Sequence, residues 1–456
     1  MRKLLVANRG EIAVRIIRSA RELGIPTVAV ASEADVQARH VALADEHVVI
    51  GPAAPTKSYL DMDAVLAAAK VTGAEAIHPG YGFLSERASF AERVTQEGLV
   101  FVGPSAHAIR TMGDKALARR TAAAAGVPTV PGSDGSVDDE TTALLVAEEI
   151  GYPVAIKAAA GGGGRGIRLV RDRKELRETL PVARAEAAAA FGSAEVYLEK
   201  FVPDAKHIEV QIFGDGERFV HLGERECSLQ RRRQKVIEES PSALLPDDTR
   251  AALLEAGTRL AAEVDYTGAG TVEFLYDQRD DSFYFIEMNT RLQVEHPVTE
   301  MVTGRDLVRE QLRVASGEPL SFRQDDVQVR GHAIEFRINA EDARNGFMPS
   351  PGRITEMRLP GGPFVRVDCG FDAGSEVTPF YDSLIAKVIV WDETRELAIS
   401  RGRRALEEVL VRGISTTAEF LRDVLDSPGF VDGSYHTTYL EAWMNEDSGA
   451  PVGVPA

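Results

Sequence analysis

The segment at residues 287–300, EMNTRLQVEHPVTE, holds the residue types in this chain that are best suited to chemistry. The preceding residues 283–286 read as an extended strand, so Glu287 and Asn289 are predicted on one face and Ile286 and Met288 on the other. Two oxygen donors then project together, and arginine, glutamine and glutamate follow closely. We interpret the segment as a site for a metal-bound nucleotide followed by a clamp for an anion.

A second predicted strand, residues 271–276, is expected to form an antiparallel hairpin with it through the turn-like residues 277–282. Pairing Tyr276 with Phe283 places Glu273 opposite Ile286, within about one residue of Glu287. Two carboxylates this close repel each other unless a cation lies between them, and oxygen ligands suit Mg²⁺ or Mn²⁺ better than Zn²⁺. The alternative is a solvated acidic strand edge, which the aromatic and aliphatic neighbours disfavour.

The composition is typical of a globular protein with several domains. The chain has 456 residues and a formal net charge of −18, and this length suggests roughly three domains. The acidic balance argues against a nucleic-acid or acidic-membrane binder, because those functions need a basic face. The two cysteines, Cys227 and Cys369, are too few for a disulfide framework, and no apolar run approaches the length of a spanning helix. These features predict a cytoplasmic protein.

The N-terminus has the pattern of a β-α-β unit in a doubly wound sheet. Residues 4–7 and 27–31 are predicted strands, and residues 11–23 are predicted to be a helix with an apolar stripe of Ile12, Ile16, Ala20 and Leu23. The turn at residues 8–11, NRGE, has one glycine where a dinucleotide fingerprint needs three. This turn therefore argues against NAD binding.

The glycine-rich run at 161–166, GGGGRG, lies between predicted strands at 153–157 and 167–170. A P-loop would open onto a helix and end in Gly-Lys-Ser/Thr, so this run predicts instead a flap whose backbone amides fold over phosphates. A flexible hairpin connection is the alternative, although four consecutive glycines are costly to order. Lys157 lies shortly before the flap.

Polar side chains also gather in four other places. The strands predicted at 206–213 and 332–339 alternate so that one face of each is polar, and that face is either solvated or functional. The polar residues are His207, Glu209 and Gln211 in the first strand and Glu335, Arg337 and Asn339 in the second. The basic run at 230–235, QRRRQK, is either a solvated loop or a counter-charge for phosphate or bicarbonate. For Tyr81 and Glu86, in the glycine-broken stretch 76–86, loop packing and helix capping are favoured.

Taken together, these motifs resemble the biotin carboxylases, ATP-grasp enzymes that form the ATP-using component of acyl-CoA carboxylases. The resemblance runs from ANRGEIA at 7–13 to about Tyr439. Its parts are HPGYGFLSE at 78–86, MGDK at 112–115, the glycine flap, CSLQRR at 227–232 and the segment 287–300. Each motif alone is weaker evidence than their combination.

The resemblance implies an α/β and α+β architecture of three domains. Residues 1–113 would form an N-terminal doubly wound, Rossmann-like pre-ATP-grasp domain, and 114–330 an ATP-grasp domain with a mobile glycine-rich lid at 131–203. Residues 331–446 would form a β-rich C-terminal biotin carboxylase domain, followed by a tail at 447–456. The chain lacks an Ala-Met-Lys-Met sequence, so biotin is expected on a separate carrier protein or domain.

The resemblance also implies a role for each site residue. The ATP contacts are Lys115, Lys157, Gly163, Gly164, Glu199, Lys200, His207, Glu273 and Glu287, and the Mg²⁺ or Mn²⁺ ligands are Glu273, Glu287 and Asn289. The bicarbonate and biotin contacts are Lys235, Arg291, Gln293, the backbone of Val294, Tyr81 and Arg337. Arg291, Glu295 and Arg337 are the implied catalytic residues, with Glu295 as the base that activates bicarbonate. Arg233 stands where many relatives have His, and Ala160 stands where the first flap glycine is often found.

The implied reaction is the ATP-dependent carboxylation of biotin with bicarbonate, through carboxyphosphate, as the first half-reaction of an acetyl- or propionyl-CoA carboxylase in fatty acid biosynthesis. Expected partners are a biotin carboxyl carrier protein, a carboxyltransferase and a second copy of the chain. The homodimer interface would include Arg18, Glu22 and Arg366, although Arg18 and Glu22 also fit an ordinary i,i+4 surface pair.

Three alternatives to this function remain. They are a carboxylase component of a pyruvate or urea system, another carboxyphosphate-forming ATP-grasp ligase such as a carbamoyl-phosphate synthetase half, and a non-catalytic nucleotide-binding subunit. The biotin-side residues Tyr81 and Arg337 argue against the second alternative. The full set of metal carboxylates, base and arginines argues against the third.

Overall fold

The structure is a computed structural model that describes residues 1–137, 139–158 and 167–447. Its N-terminal unit is a five-stranded parallel sheet with helices. The strand order β3-β2-β1-β4-β5 confirms the doubly wound prediction. The elements are β1 (Leu4–Val6), α1 (Gly10–Glu22), β2 (Thr27–Ser32), α2 (Arg39–Leu43), β3 (Glu46–Gly51), α3 (Met62–Thr72), β4 (Ala76–His78), α4 (Ala88–Gln96), β5 (Val100–Phe101) and α5 (Ala106–Gly113).

A second unit contains a small antiparallel sheet with strand order β7-β6-β8. Its elements are α6 (Lys115–Ala124), α7 (Glu140–Ile150), β6 (Val154–Ala158), β7 (Ile167–Val170), α8 (Arg173–Phe191) and β8 (Val196–Lys200). The strands on both sides of the glycine run are therefore present as predicted. Gly163 and Gly164, with the rest of the run, lie outside the described residues.

The largest sheet has eight antiparallel strands in the order β13-β12-β9-β10-β11-β14-β21-β19. The first five of these strands along the chain, and the helices between and after them, are β9 (Lys206–Asp215), β10 (Phe219–Arg231), β11 (Gln234–Ser240), α9 (Asp247–Glu263), β12 (Thr267–Asp277), β13 (Ser282–Asn289), α10 (His296–Thr303) and α11 (Leu307–Ala315). The sheet is continuous across residue 330, because β11 pairs directly with β14. Residues far apart in sequence are thus fixed in one register.

The C-terminal part adds three strands to this sheet, several short strand pairs and four helices. It comprises β14 (His332–Asn339), β15 (Glu341–Asp342), β16 (Met348–Pro349), β17 (Gly352–Arg353), β18 (Glu356–Arg358), β19 (Val365–Cys369), β20 (Glu376–Val377), β21 (Leu384–Asp392), α12 (Arg395–Glu408), β22 (Leu410–Arg412), α13 (Ala418–Leu425), α14 (Pro428–Val431) and α15 (Tyr439–Asp447).

Both faces of the large sheet are covered. The apolar side chains of Ile208, Val210 and Ile212 pack with α9 in one core cluster. The opposite face of β9 is also buried, since Glu209 and Gln211 are both 0% exposed. Helix α10 packs over β10, β14 and β21. Arg225 of β10 connects this helix to the polar face of β9, because its guanidinium binds Gln211 and Thr299.

Two of the three residues expected at a homodimer interface make ion pairs within the chain. Glu22 pairs with Arg309, and among the described residues no ion pair joins Glu22 to Arg18, the alternative that their i,i+4 spacing allowed. The guanidinium of Arg366 binds Glu300 and Asp368. Arg18 itself is exposed on α1.

Two further features are the cysteines and the apolar character of the helices. Cys227 and Cys369 are buried free thiols, which fits packing residues. Of the helices in the described ranges, none combines the length and apolar character needed to cross a bilayer.

Close packing between α9 and β9 leads to a stability prediction. A Cβ atom added at Gly257 would lie 2.9 Å from Cγ1 of Val210, so Gly257→Ala should lower the free energy of unfolding by ~1–3 kcal/mol through overpacking. At Gly113, in the last turn of α5, an added Cβ meets nothing within 4 Å. Gly113→Ala should instead raise the free energy of unfolding, by up to ~1 kcal/mol. Urea denaturation of both variants measures the difference, and stabilisation by Gly257→Ala would contradict the packing argument.

Candidate active site

The hairpin of β12 and β13 brings two carboxylates directly opposite each other. Tyr276 pairs with Phe283 as predicted, but a bulge after Glu273 shifts the register, so that Glu273 lies opposite Glu287 and not opposite Ile286. The prediction that Ile286 shares a face with Met288 is also wrong: Ile286 is 38% exposed and Met288 is 4% exposed. An extra residue in one strand reverses the alternation beyond it, which is why the simple period failed here.

Glu273 is the more heavily hydrogen-bonded of the two carboxylates. It accepts from Nδ2 of Asn289 at 2.6 Å and Nε2 of Gln293 at 2.7 Å, and Nε2 of His207 lies 2.9 Å away. Burial raises its pKa, but Lys235 and His207 outweigh burial and hold the pKa below the ordinary range. Glu273 is therefore an anion.

Glu287 differs from Glu273 in having no hydrogen-bond partner among the described residues. Although Glu287 is partly exposed, desolvation by the surrounding residues, followed by repulsion from Glu273, raises its pKa. A divalent cation would relieve this repulsion, and the carboxylate oxygens of both residues with Oδ1 of Asn289 form an oxygen donor set. These residues fit a Mg²⁺ or Mn²⁺ ion.

His207 lies behind this pair as a charged group. Burial alone would lower its pKa, but the carboxylates of Glu273 and Glu209 raise it to about 9. Its Nε2 is 3.3 Å from Glu209. His207 at neutral pH is thus an imidazolium that helps to hold two carboxylates, whereas strand alternation alone gave it only a shared polar face.

Lys235 joins three carboxylates at the centre of the site. Its ammonium binds Glu209, lies 2.7 Å from Glu295 and 3.4 Å from Glu273. The basic run that contains it is a tight hairpin between β10 and β11, with positive φ angles of 47° and 66° at Arg232 and Arg233. Those two arginines are exposed while Lys235 turns inward, so the run is partly a solvated turn and partly a buried cation.

The residues of the predicted anion clamp lie in the loop between β13 and α10. Nε of Arg291 donates to Glu86 at 3.0 Å, and Nη2 donates to Asn289 at 2.7 Å. The ion pair with Arg291 replaces the loop-packing role expected for Glu86. Gln293 accepts at 2.6 Å from Arg225.

Glu295 is held by two cations. Oε1 faces Lys235, and Oε2 accepts from Nη2 of Arg337 at 3.0 Å. Burial raises the pKa of Glu295, but Lys235 and then Arg337 outweigh burial and lower it. Glu295 is therefore ionised, as a proton acceptor must be.

Arg337 is shared between Glu295 and a second buried carboxyl. Its Nε donates to Glu238 at 2.6 Å. Burial raises the pKa of Glu238 to about 7, although Arg337 opposes the shift. Lys235 and Arg337 also line a small pocket that Phe347 and Phe420 help to enclose. The hydroxyl of Tyr81 donates to Glu11 on α1; among the described residues, no hydrogen bond joins it to Arg337.

The other described residues expected to contact the nucleotide lie on α6 and in the small sheet. Lys115 is exposed at the start of α6, where Asp114 caps the helix. Lys157 pairs with Glu199, which also binds Arg119 at 2.9 Å. Nζ of Lys200 lies 3.2 Å from Asp280 and 3.1 Å from the hydroxyl of Tyr284. Among the described residues, no hydrogen bond joins these groups to Glu273 or Glu287.

Three buried charged residues were missed from the sequence as parts of the site. Arg225, 0% exposed, links Glu209 and Gln293, and nothing in its local pattern distinguishes it. Glu238 holds Arg337. Lys387 stands alone in the apolar run at 384–391, LIAKVIVW, and an isolated lysine in a hydrophobic strand is a signal that could have identified it.

Family models match the chain in three segments. The model described as "Biotin carboxylase, N-terminal domain" matches residues 1–109. "Carbamoyl-phosphate synthase L chain, ATP binding domain" matches residues 114–323. "Biotin carboxylase C-terminal domain" matches residues 335–442. The three segments agree with the three-domain architecture that the resemblance implies.

Curated relatives are similar over nearly their whole length. The biotin carboxylase of Pseudomonas aeruginosa is 54% identical over 449 residues, which cover 98% of this chain and 99% of the relative. Biotin carboxylase 1 of Bacillus subtilis is 54% identical over 444 residues, which cover 97% and 99%.

Solved structures share the fold. The biotin carboxylase domain of Hydrogenobacter thermophilus 2-oxoglutarate carboxylase, a dimer in complex with MgADP, ADP and bicarbonate, superposes with a TM-score of 0.88 at 48% identity and covers 97% of this chain and 98% of that one. A biotin carboxylase subunit of pyruvate carboxylase has a TM-score of 0.89 at 48% identity, with coverage of 99% and 100%.

The buried carboxyl of Glu335 gives a pH prediction. It faces Glu238 across β11 and β14 and is 0% exposed. Burial raises its pKa well above the ordinary value, and Lys387 offsets this only in part. The folded protein therefore keeps a proton that the unfolded chain releases above about pH 4.3. The free energy of unfolding should then fall as pH rises, by up to ~1.4 kcal/mol per pH unit for this group.

Glu335→Gln removes this proton, so its free energy of unfolding should fall less steeply than that of the wild type between about pH 5.5 and about pH 7.5. Urea denaturation at several pH values measures both slopes. Glu255→Gln, at an exposed position on α9, is the control for a change of glutamate elsewhere. Parallel slopes for wild type and Glu335→Gln would mean that Glu335 is ionised in the folded protein.

Proposed function

The chain belongs to the biotin carboxylase family and is an ATP-dependent ligase, and we propose that it carboxylates carrier-borne biotin through carboxyphosphate for an acetyl- or propionyl-CoA carboxylase. One observation carries the proposal. The ammonium of Lys235 links Glu273, in the candidate metal pair, to Glu295, the candidate base. The sites proposed for the two reactants of the first chemical step are therefore neighbours.

The nucleotide side is assigned to the groups around the hairpin and the small sheet. Lys115, Lys157, Glu199, Lys200 and His207 are proposed ATP contacts, together with Gly163 and Gly164. Glu273, Glu287 and Asn289 would hold Mg²⁺ or Mn²⁺, which when bound neutralises charge on the phosphates. Relatives support this assignment, since one solved structure contains MgADP.

The bicarbonate side is assigned to the loop and its cations. Lys235, Arg291, Gln293 and the backbone of Val294 would hold the anion, and a carboxylate oxygen of Glu295 would take its proton. Arg337, already shared by two carboxylates, would stabilise negative charge on the biotin ureido group, near Tyr81. Arginine suits this role because it stays charged and offers a planar fork of donors.

The proposed assembly includes a carrier protein, a carboxyltransferase and a second copy of the chain, in the cytosol. A dimer is recorded for the 2-oxoglutarate carboxylase domain, and the interface proposed here includes Arg18, Glu22 and Arg366. The proposed domain bounds are 1–113, 114–330 and 331–446. A pyruvate carboxylase system is the second candidate, because the chain is 48% identical to a subunit of such an enzyme over 99% of its own length.

Bicarbonate-dependent turnover tests the reaction. The protein should release ADP from MgATP only when bicarbonate is present, and faster when biotin or a biotinylated carrier is added. A coupled assay for ADP measures both effects. Failure of biotin to increase bicarbonate-dependent turnover would contradict the assignment, and ammonia-dependent turnover without biotin would favour a carbamoyl-phosphate type of ligase.

Replacement of the clamp arginine tests the anion site. Arg291→Ala should leave the dissociation constant of MgATP within about twofold of the wild type and lower the rate of biotin carboxylation by at least ~100-fold, because a charge contact to the reacting anion is lost. Arg313→Ala is the matched control, since Arg313 is half-buried on α11 and pairs with Glu318, outside the site residues. Near-normal carboxylation by Arg291→Ala would overturn the clamp assignment.

A further inference from the structure

Lys387 is a fully buried lysine to which the proposed reaction gives no role. It lies in β21, is 0% exposed, and its ammonium is 3.4 Å from Glu11 on α1. Burial alone would lower the pKa of Lys387, but Glu11 foremost among the neighbouring carboxyls outweighs burial and raises it. The group is therefore a cation, and a buried cation is costly unless it is well paired.

The hydrogen bond of Lys387 goes to the predicted anion loop. Its Nζ donates to the carbonyl oxygen of Val294 at 2.5 Å. That carbonyl belongs to the planar peptide between Val294 and Glu295. Because this peptide is planar, the hydrogen bond to its carbonyl oxygen also restricts the orientation of the backbone N–H of Glu295.

The register of the large sheet places Lys387 beside Arg337. The two residues are opposite each other on β14 and β21, and opposite residues on neighbouring strands project to the same face. Arg337 binds the carboxylate of Glu295 at 3.0 Å, while Lys387 binds the preceding carbonyl. Two neighbouring cations of one sheet thus hold two consecutive residues of the loop.

The same row continues to the next strand. Asp368 is opposite Lys387 on β19 and binds Arg366, whose guanidinium also reaches Glu300 in α10 at 2.6 Å. The row of Arg337, Lys387 and Asp368 therefore holds the loop and the helix that follows it. Lys387 is the member that contacts the loop backbone.

We propose that Lys387 is a positioning residue for the bicarbonate step, which orients the Val294–Glu295 peptide so that the proposed base and the backbone anion contact face one substrate. The inference rests on the proposed function of that loop. A displacement of about 1 Å in a reacting group can cost about 100-fold in rate. Loss of one backbone contact in the loop would therefore affect bicarbonate more than ATP.

A second buried lysine provides a matched comparison. Lys206 is also 0% exposed and pairs with Glu226. Its ammonium donates to the carbonyl oxygens of Gly433 at 2.8 Å and Tyr435 at 3.0 Å. These carbonyls lie in the C-terminal segment and not in the anion loop, so Lys206→Met removes a buried ammonium without releasing Val294.

The test compares Lys387→Met with Lys206→Met in steady-state ADP release with biotin. Lys387→Met is expected to raise the KM for bicarbonate by about tenfold or more and to lower kcat, with the KM for ATP within about twofold of the wild type. Lys206→Met is expected to lower thermal stability while its KM for bicarbonate stays within about twofold. An unchanged KM for bicarbonate in folded Lys387→Met would overturn the proposal.

A double variant keeps the test decisive if Lys387→Met does not fold. Lys387→Met with Glu11→Gln removes one buried charge of each sign, and the glutamine oxygen can still accept from Tyr81. Its KM for bicarbonate should also rise by about tenfold or more, whereas Glu11→Gln alone should leave that KM within about twofold. Failure of both Lys387 variants to fold would assign the lysine a purely structural role and overturn the proposal.

The assays distinguish failure of the proposed reaction from failure of the proposed role of Lys387. If the wild type shows no bicarbonate-dependent ADP release, the proposed function is wrong. If the wild type is active and Lys387→Met retains its KM for bicarbonate, the function stands and only the positioning role is lost.

Discussion

The site depends on one buried ammonium, that of Lys235. It lies among Glu209, Glu273 and Glu295, which come from two strands and the loop before α10. Three carboxylates gathered in the protein interior would otherwise repel one another, and removal of one partner from a buried ion cluster typically costs about 3–5 kcal/mol. The cation therefore permits acidic groups with different proposed tasks to be close neighbours.

The continuity of the eight-stranded sheet determines which charges meet. Its register aligns Glu287, Glu273, Glu209 and Arg225 on four successive strands. Arg337, Lys387 and Asp368 form a second row on the far side. The loop before α10 lies against both rows, since Gln293 binds Glu273 and Arg225 while Val294 and Glu295 bind the second row. One backbone framework thus sets the distance between the proposed metal and anion subsites.

Local periodicity predicted those parts of the molecule that depend on neighbouring residues. It gave the parallel sheet of the N-terminal unit and the Tyr276–Phe283 pair of the hairpin. It could not give the bulge after Glu273, because a bulge conforms to tertiary packing. It also left open whether Glu209 is solvated, since the cations that bind it, Arg225 and Lys235, lie on other strands. The Glu86–Arg291 pair, 205 residues apart, lies beyond any local pattern.

The cations around Glu295 also bear on how it can act as a base. Lys235 and Arg337 hold its pKa below the ordinary value, and a carboxylate stabilised in this way is a weak proton acceptor. Bicarbonate bound to the same cations would share their charge, so the pKa of Glu295 would rise as the anion bound. Because the proposed base would gain strength only when its substrate is in place, proton removal would be coupled to binding. This coupling requires that the cations be held close to Glu295 before the anion arrives, which the two rows of the sheet ensure.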